Sequence, residues 1–353
     1  MFFNRSSFTY APRSKPFVLA LSSDTELSEI RIRPFLTALL GRGIIGGFQF
    51  ADRKMTSMGW HKDFSFTHIW CHRNVSTAQI RFLRKHANVP IIYDIDDLMT
   101  AVPDFIKNRP RVVERVRWCL DHARAVTTST DVLNSHLRKD VPPSTPVITL
   151  KNGHAGLELP THLVPRKQIV WTSGDHPFIT RDNPEFVSGL AGIANRHGYE
   201  VVMIGRFPPE LGSLFMQWRH IQRLDFNSYR ELLGYFAGAI GLAPLPSGLS
   251  PHNQRFFDAK SDIKLVDYLS SGILPVCTST PPYANSELYI PELAGDDPAA
   301  LLKKLEDCIT DHAGWIERIR HHAGSLEQRR YSILSQALHV IFEAAKAGMT
   351  DRP

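Results

Sequence analysis

The chain is predicted to be an α/β protein built from two doubly wound parallel-sheet domains of similar size. Three observations predict this. Apolar runs of strand length alternate with segments of helical period along most of the 353 residues. The length suits two domains of ~150 residues, each able to bury its own core. A proline-rich, aperiodic stretch from Val141-Pro142-Pro143 through Pro165 interrupts the alternation near the middle.

In the first half the apolar runs predict strands at Phe17–Leu21, His68–His72, Val89–Ile95, Ala125–Thr128 and Val147–Leu150. Helical spacing predicts helices near Glu26–Leu40, Thr77–His86, Arg111–His122 and Asp131–Arg138. In the second half the strands fall at Ile169–Thr172, Glu200–Ile204, Ala239–Leu242 and Leu274–Thr278. Helices are expected near Pro184–Arg196, Ser228–Phe236, Ser261–Ser271 and Pro298–Thr310. The expected division is therefore a first Rossmann-like domain over 1–153, a linker over 154–167, a second over 168–330, and a terminal helical segment over 331–353. That last segment is expected to pack back across a cleft between the two domains. Doubly wound sheets bind ligands beyond the carboxyl ends of their strands, so the cleft is the expected site.

Hydrophobic residues make up 43% and charged residues 22%, which excludes a disordered or fibrous chain. No apolar run reaches the ~18–20 residues of a membrane span. The opening MFFNRSSFTYAPRSK has no continuous apolar core and does not read as a secretory signal. Cys71, Cys119, Cys277 and Cys308 are scattered without a C-x-x-C, which points to a reducing cytoplasm. The net charge is +6, and it is uneven. Residues 1–160 hold 22 Lys and Arg against 14 Asp and Glu, an excess of 8, while the remainder is slightly acidic. Such a half suits an anionic partner or serves only solubility.

The sharpest local pattern is Tyr93-Asp94-Ile95-Asp96-Asp97, which closes an apolar strand. Asp94 and Asp96 share one face of that strand. Three carboxylates at such a place are costly unless something binds or caps them. They read as metal-diphosphate ligands, as sugar-binding or proton-accepting carboxylates, or as structural groups in which Asp97 caps a turn and Asp94 pairs with an arginine. A second pattern is Asp258-Ala259-Lys260-Ser261-Asp262-Ile263-Lys264-Leu265-Val266-Asp267. Helical spacing puts Lys260, Lys264 and Asp267 on one face, opposite Ile263, Val266 and Leu269. Two lysines at a helix N-terminus suit a phosphate, and Asp267 is placed to accept from ribose hydroxyls. The plain alternative is a solvated stripe. Weaker signals are Ser173-Gly174 after Trp171-Thr172, where Gly174 lets backbone approach a diphosphate, and Arg206 after Gly205. His68 and His72 flank Cys71 on a strand, which is not metal-ligand geometry. The chain has no Walker loop, no G-x-G-x-x-G and no G-x-S-x-G.

These segments together resemble glycosyltransferase family 4, the group 1 glycosyltransferases with the GT-B fold. The likeness is carried by Thr67-His68-Ile69-Trp70-Cys71-His72-Arg73-Asn74, by Pro90–Leu98, by Val126–Thr130 leading to Leu150-Lys151-Asn152-Gly153, and by Ala243-Pro244-Leu245 followed by Lys260–Lys264 and Gly272–Val276. It runs from about Leu19 to Tyr283. The resemblance implies a nucleotide-sugar donor held by the second domain and a glycan or lipid-linked acceptor held by the first. It implies no cofactor, since the nucleotide sugar is a substrate, and no metal. Donor binding then falls to Ser173, Gly174, Arg206, Ser261 and Asp267, the acceptor side to Arg73, Asp94 and Asp97, and catalysis to Asp96, Lys260 and Lys264. The family often carries two glutamates seven residues apart. The second matches Asp267, and the first falls on Ala259. Many members have histidine where Asp96 stands, so the role of Asp96 is left open.

Two other classes fit the same pattern: a GT-B sugar-nucleotide epimerase, which handles no acceptor, and a non-catalytic module binding sugar or nucleic acid. A basic cluster, Lys107–Arg117, contains Val112, Val113 and Val116 on one side and Arg111 and Arg115 on its flank. It reads as an amphipathic helix suited to an anionic membrane surface. Nucleic acid is the rival partner, less favoured, and the valines as core with solvated arginines is the plain alternative.

Overall fold

The computed structural model describes residues 15–22, 25–51, 66–73, 75–104, 109–156, 162–173, 183–222 and 224–347. It divides into two compact units. The first takes the chain through Asn152, the short stretch Ala259–Ser261, and everything from Tyr331 onward. The second takes Gly153–Asp258 and Asp262–Arg330.

The first unit is a six-stranded, wholly parallel sheet of β1 (Phe17–Ser22), β2 (Gly47–Ala51), β3 (His68–His72), β4 (Ile91–Ile95), β5 (Ala125–Thr128) and β6 (Val147–Thr149). Their order is β2-β1-β3-β4-β5-β6, which reverses between β1 and β3. The inner strands are buried on both faces, which is why they read as continuous apolar runs. β2 was not foreseen. It is a half-buried edge strand, GFQFA, whose alternating burial gives no such run.

The helix expected over Glu26–Leu40 is two helices, Thr25–Arg31 and Arg33–Gly41. Pro34 has no N–H to offer an uninterrupted helix, so it sits in the first turn of a new one. Thr77–Lys85 starts with a capping box, Ser76 and Gln79 bonding each other's backbone N–H. Arg109–His122 buries Val112, Val116, Cys119 and Leu120 in the unit's interior. Tyr331, Leu338, Ile341 and Phe342, from the end of the chain, join the core of this unit with Phe35 and Trp70. Phe342 packs edge-on to Trp70, and the Tyr331 hydroxyl donates to Ile30 O.

The second unit is also a six-stranded parallel sheet: β7 (Gln168–Ser173), β8 (Glu200–Gly205), β9 (Trp218–Ile221), β10 (Ile240–Ala243), β11 (Leu274–Thr278) and β12 (Ala294–Gly295). Read from β9 to β12 the order is 3-2-1-4-5-6, the Rossmann order, with its switch point between β7 and β10. The edge strands β9 and β12 were not foreseen; one is largely exposed and the other is two residues long. Nor were the helices Pro251–Asp258 and His312–Ile319. Helix Pro184–His197 opens on Pro184 and ends at Gly198 with φ of 66°, and Pro298–Thr310 is capped by Asp297.

Candidate functional site

Chemistry-bearing side chains gather at the carboxyl ends of the central strands in each unit, beside each switch point.

In the first unit, β4 delivers its acids against the end of β3. Asp94 is fully buried and held by Arg31, which donates from Nε to Oδ2 at 3.1 Å and from Nη2 to Oδ1 at 2.6 Å. Thr127 Oγ1 adds a donor to Oδ1 at 2.6 Å. Arg31 also donates to Leu150 O and Asn152 Oδ1, so one buried guanidinium ties its own helix to β4 and to the segment that follows β6. Asp94 is thus the arginine-paired carboxylate that the plain reading offered.

Asp97 is bound by Arg73 and, at 2.7 Å, by Lys260 Nζ. It does not cap a turn through its side chain. Asp96 sits between: 13% of its side chain is exposed, with Arg73 Nη1 at 3.6 Å from Oδ2 and His72 Nε2 at 3.7 Å from Oδ1. Burial by itself raises the Asp96 carboxyl. Arg73, His72 and Arg31 more than offset this and hold it well below the usual carboxylate range.

Arg73 reaches these acids because its own backbone turns back. Its φ is +50°, the left-handed region, fixed by Arg73 N donating to Asp94 O and by the Tyr93 hydroxyl donating to Arg73 O. His72 was discounted from sequence and now proves to belong to the cluster. It lies 3.6 Å from Asp94 Oδ2 and is 1% exposed.

In the second unit, helix Ile263–Ser270 lies beside the switch point. Leu265, Val266, Tyr268 and Leu269 enter the core, and Asp267 is only 4% exposed, so the stripe is not solvated. The Tyr268 hydroxyl lies within 3.1–3.2 Å of Val170 O, Thr172 Oγ1 and Leu242 O, stitching β7 to β10. Its ring fills the space a Cβ at Gly241 would take. Lys264 Nζ donates to Thr172 O at 2.5 Å. Burial lowers its ammonium to about 7, against the opposing pull of Asp267. Asp267 Oδ1 accepts from Arg230 Nε at 3.0 Å; burial raises this carboxyl despite Arg230.

The shared face expected for Lys260, Lys264 and Asp267 is not there. The helix begins at Ile263, so Lys260 precedes it, groups with the first unit and pairs with Asp97. Ala259 is sealed from solvent, and Ser261 is partly buried. Asp262 takes the N-cap position without capping through its side chain. Its carboxylate is instead drawn to Arg329 at 2.5 Å and accepts from Ser286 Oγ at 2.5 Å. Arg329, 2% exposed and also bound to Glu287, gave no signal in the sequence.

Ser173 Oγ is buried at the end of β7 with no hydrogen-bond partner among the described residues. Gly174 lies outside the described residues. Gly205 has φ of +112°, and a Cβ there would stand 1.9 Å from Ser173 O; Arg206 follows it, exposed, donating its backbone N–H to that same carbonyl. Beyond the ends of β10 and β11 opens a cavity of about 70 Å³, lined by Phe186, Pro244, Leu245, Pro246, Thr278 and Leu301. Among the described residues no group of three or more His, Cys, Asp or Glu is placed to hold a metal ion.

No protein-family model matches the sequence, and no curated protein is matched. Solved structures are matched along nearly the whole chain. A sucrose-phosphate synthase from Thermosynechococcus elongatus is 12% identical with a TM-score of 0.65, over 95% of this chain and 100% of that one. An alpha,alpha-trehalose 6-phosphate synthase from Burkholderia multivorans is 11% identical, TM-score 0.55, over 96% and 99%. A co-structure of S. aureus MnaA with UDP is 11% identical, TM-score 0.57, over 96% and 99%. The likeness shows the fold: an α/β chain of two Rossmann-like domains, as the resemblance to the GT-B enzymes implied.

Proposed function

We propose that the protein is a glycosyltransferase that moves a sugar from a nucleotide-sugar donor to a glycan or lipid-linked acceptor, in the synthesis of a cell-surface polysaccharide or glycoconjugate. The observation that carries this reading is the half-buried Lys264 ammonium at the end of β7, beside the Asp267–Arg230 pair and the switch point of a Rossmann-ordered sheet. Cleavage of a sugar–phosphate bond develops negative charge on the departing diphosphate, and a cation fixed in advance lowers that barrier. Lys264 and Lys260 are assigned to the diphosphate, Asp267 to the ribose hydroxyls, and Ser173, Gly174, Arg206 and Ser261 to the rest of the donor. Arg73, Asp96 and Asp97 are assigned to the acceptor side, with Asp94 acting through what it holds in place. The fold neighbours support the reading: two are sugar-phosphate synthases, and the third was solved with UDP.

The reaction is read as metal-independent, its positive charge supplied by side chains. The compartment is read as a reducing cytoplasm, on the ground that Cys71, Cys119, Cys277 and Cys308 are all buried free thiols. No described helix is long and apolar enough to cross a membrane. Contact with an anionic leaflet is assigned to Arg111 and Arg115, acting by charge, since Val112 and Val116 are spent in the core. A thermal-shift screen of UDP-, GDP- and ADP-sugars tests the donor assignment. At least one should raise the melting midpoint of the wild type and do so far less in Lys264→Ala; equal shifts in both, or none, would refute it.

A further inference from the structure

Helix Ile263–Ser270 opens without the cap that its sequence offers. Asp262 stands at the N-cap, where a carboxylate ordinarily accepts from the backbone N–H groups of the first turn. Here its side chain makes no such bond. The first turn closes on the Asp262 carbonyl, which accepts from Leu265 N at 2.9 Å and Val266 N at 3.2 Å. The carboxylate is turned away to Arg329, which donates from Nη2 to Oδ2 at 2.5 Å and from Nη1 to Oδ1 at 3.3 Å. A helix of eight residues is marginal by itself, yet this one forgoes its local cap for a partner 67 residues away. Where its first turn begins is therefore set by where Arg329 stands.

Arg329 is itself held from several sides. Glu287 accepts from its Nε at 2.5 Å and from its Nη2 at 3.0 Å. Burial by itself lowers the guanidinium, and Glu287 and Asp262 more than offset this, so it stays charged. Its carbonyl accepts from His154 N at 3.0 Å, and its own N–H donates to Leu326 O at 2.9 Å. His154 Nε2 donates to that same Leu326 O at 2.9 Å while Nδ1 accepts from Gly156 N at 3.1 Å, which locks one neutral tautomer. The neighbouring Gly153 O accepts from Arg230 Nη2 at 2.9 Å, and Arg230 holds Asp267. Each end of the helix thus has its own arginine. Asp267 answers to Arg230, whereas Lys264, two residues after Asp262, takes its seat on Thr172 O from the first turn.

We propose that Arg329 is a positioning residue for Lys264: through Asp262 it sets the first turn of the helix so that the ammonium rests at the end of β7, where the diphosphate is assigned. The proposal rests on the transferase reading above, and Arg329 touches no substrate in it. Two arguments separate this role from plain support of the fold. A buried ion pair is weak evidence for stability, because an apolar pair of similar volume often serves a fold as well or better. A two-pronged contact between guanidinium and carboxylate, by contrast, fixes direction as well as distance. Direction is what a cation aimed at a diphosphate needs, since a misplacement of about 1 Å is enough to cost on the order of 100-fold in rate.

The test is calorimetry with UDP, GDP and ADP on the wild type and on Arg329→Lys, which keeps the charge but loses the fork. Both are also measured in the Lys264→Ala background. A merely structural loss lowers the number of binding sites, whereas a displaced Lys264 lowers the affinity of the sites that remain. Arg329→Lys should weaken the nucleotide that the wild type binds on the order of 10-fold, with site number kept, but by no more than about twofold in the Lys264→Ala background. Unchanged affinity, or the same loss in both backgrounds, would overturn the proposal alone. Should Arg329→Lys fail to fold, Asp262→Leu/Arg329→Met takes its place. It removes both buried charges together and leaves Glu287, whose side chain is 34% exposed, to water. It should fold and show the same weakening and the same dependence on Lys264. Wild-type affinity in it would show that packing alone sets the helix, and failure to fold would mark the link as a requirement of the fold; either overturns the proposal. No binding of any of the three nucleotides by the wild type would overturn the transferase reading, and the proposal with it.

Discussion

Lys264 holds its charge weakly, and that gives the donor assignment a pH signature. Its ammonium is depressed to about 7 by burial, so the cation is present below that pH and is lost as pH rises through it. UDP affinity, measured by calorimetry, should therefore decline between pH 6 and 8, and Lys264→Met should remove that slope. An identical slope in the variant would contradict the role. Asp267→Asn keeps a group that Arg230 can bond while removing the carboxylate, so it should weaken UDP binding without unfolding the protein; unchanged affinity would reject the ribose assignment. The residue scale is also where the sequence was least legible. Three acids after an apolar strand announced themselves. His72 did not, because the carboxylates beside it come from the next strand in the sheet and its own strand reads as core. Arg31 and Arg329 were hidden for the same reason: their partners lie 63 and 67 residues away.

Among the elements, strands buried on both faces were legible to within two residues, whereas the edge strands β2, β9 and β12 were not. An edge strand needs no continuous apolar run, so periodicity has nothing to report. The helix carrying Lys264 and Asp267 was legible, but its start was not. A helical pattern drawn from Ser261 puts Lys260 on the same face, whereas the true start at Ile263 frees it to pair with Asp97. Pro34 was visible in the sequence and should have divided the first helix. The end of β8 gives a prediction at this scale. Gly205 combines φ of +112° with backbone contact against Ser173 O that no side chain can share. Gly205→Ala should cost at least about 1–3 kcal/mol in urea unfolding. A loss below the error of that measurement would mean that the turn after β8 relaxes freely.

Over the whole molecule, the alternation of strand and helix was sufficient to read two parallel sheets, while strand order came only with the structure. The two orders, β2-β1-β3-β4-β5-β6 and β9-β8-β7-β10-β11-β12, put a switch point in each unit beside the residues singled out. The basic excess of the first half has lost its apolar companion, since Val112 and Val116 are interior. Attraction to an anionic leaflet would then be electrostatic, about 1 kcal/mol per basic residue at the surface. Vesicle co-sedimentation should need anionic lipid, fall steeply with salt, and weaken in Arg111→Glu/Arg115→Glu. Salt-insensitive recovery on neutral vesicles, or none on any, would favour a soluble acceptor.

The central claim is that this chain transfers a sugar from a nucleotide. It is tested most directly by incubating the full-length protein with the nucleotide-sugar panel and a set of glycan and lipid-linked acceptors, in excess chelator, and weighing the products by mass spectrometry. The account predicts that one donor is converted to its nucleoside diphosphate in equal amount to an acceptor made heavier by one sugar residue, with no metal required. Every donor recovered at its starting mass, whether untouched or isomerised, would contradict it, whereas conversion that appears only when manganese or magnesium is restored would overturn the metal-independent reading alone.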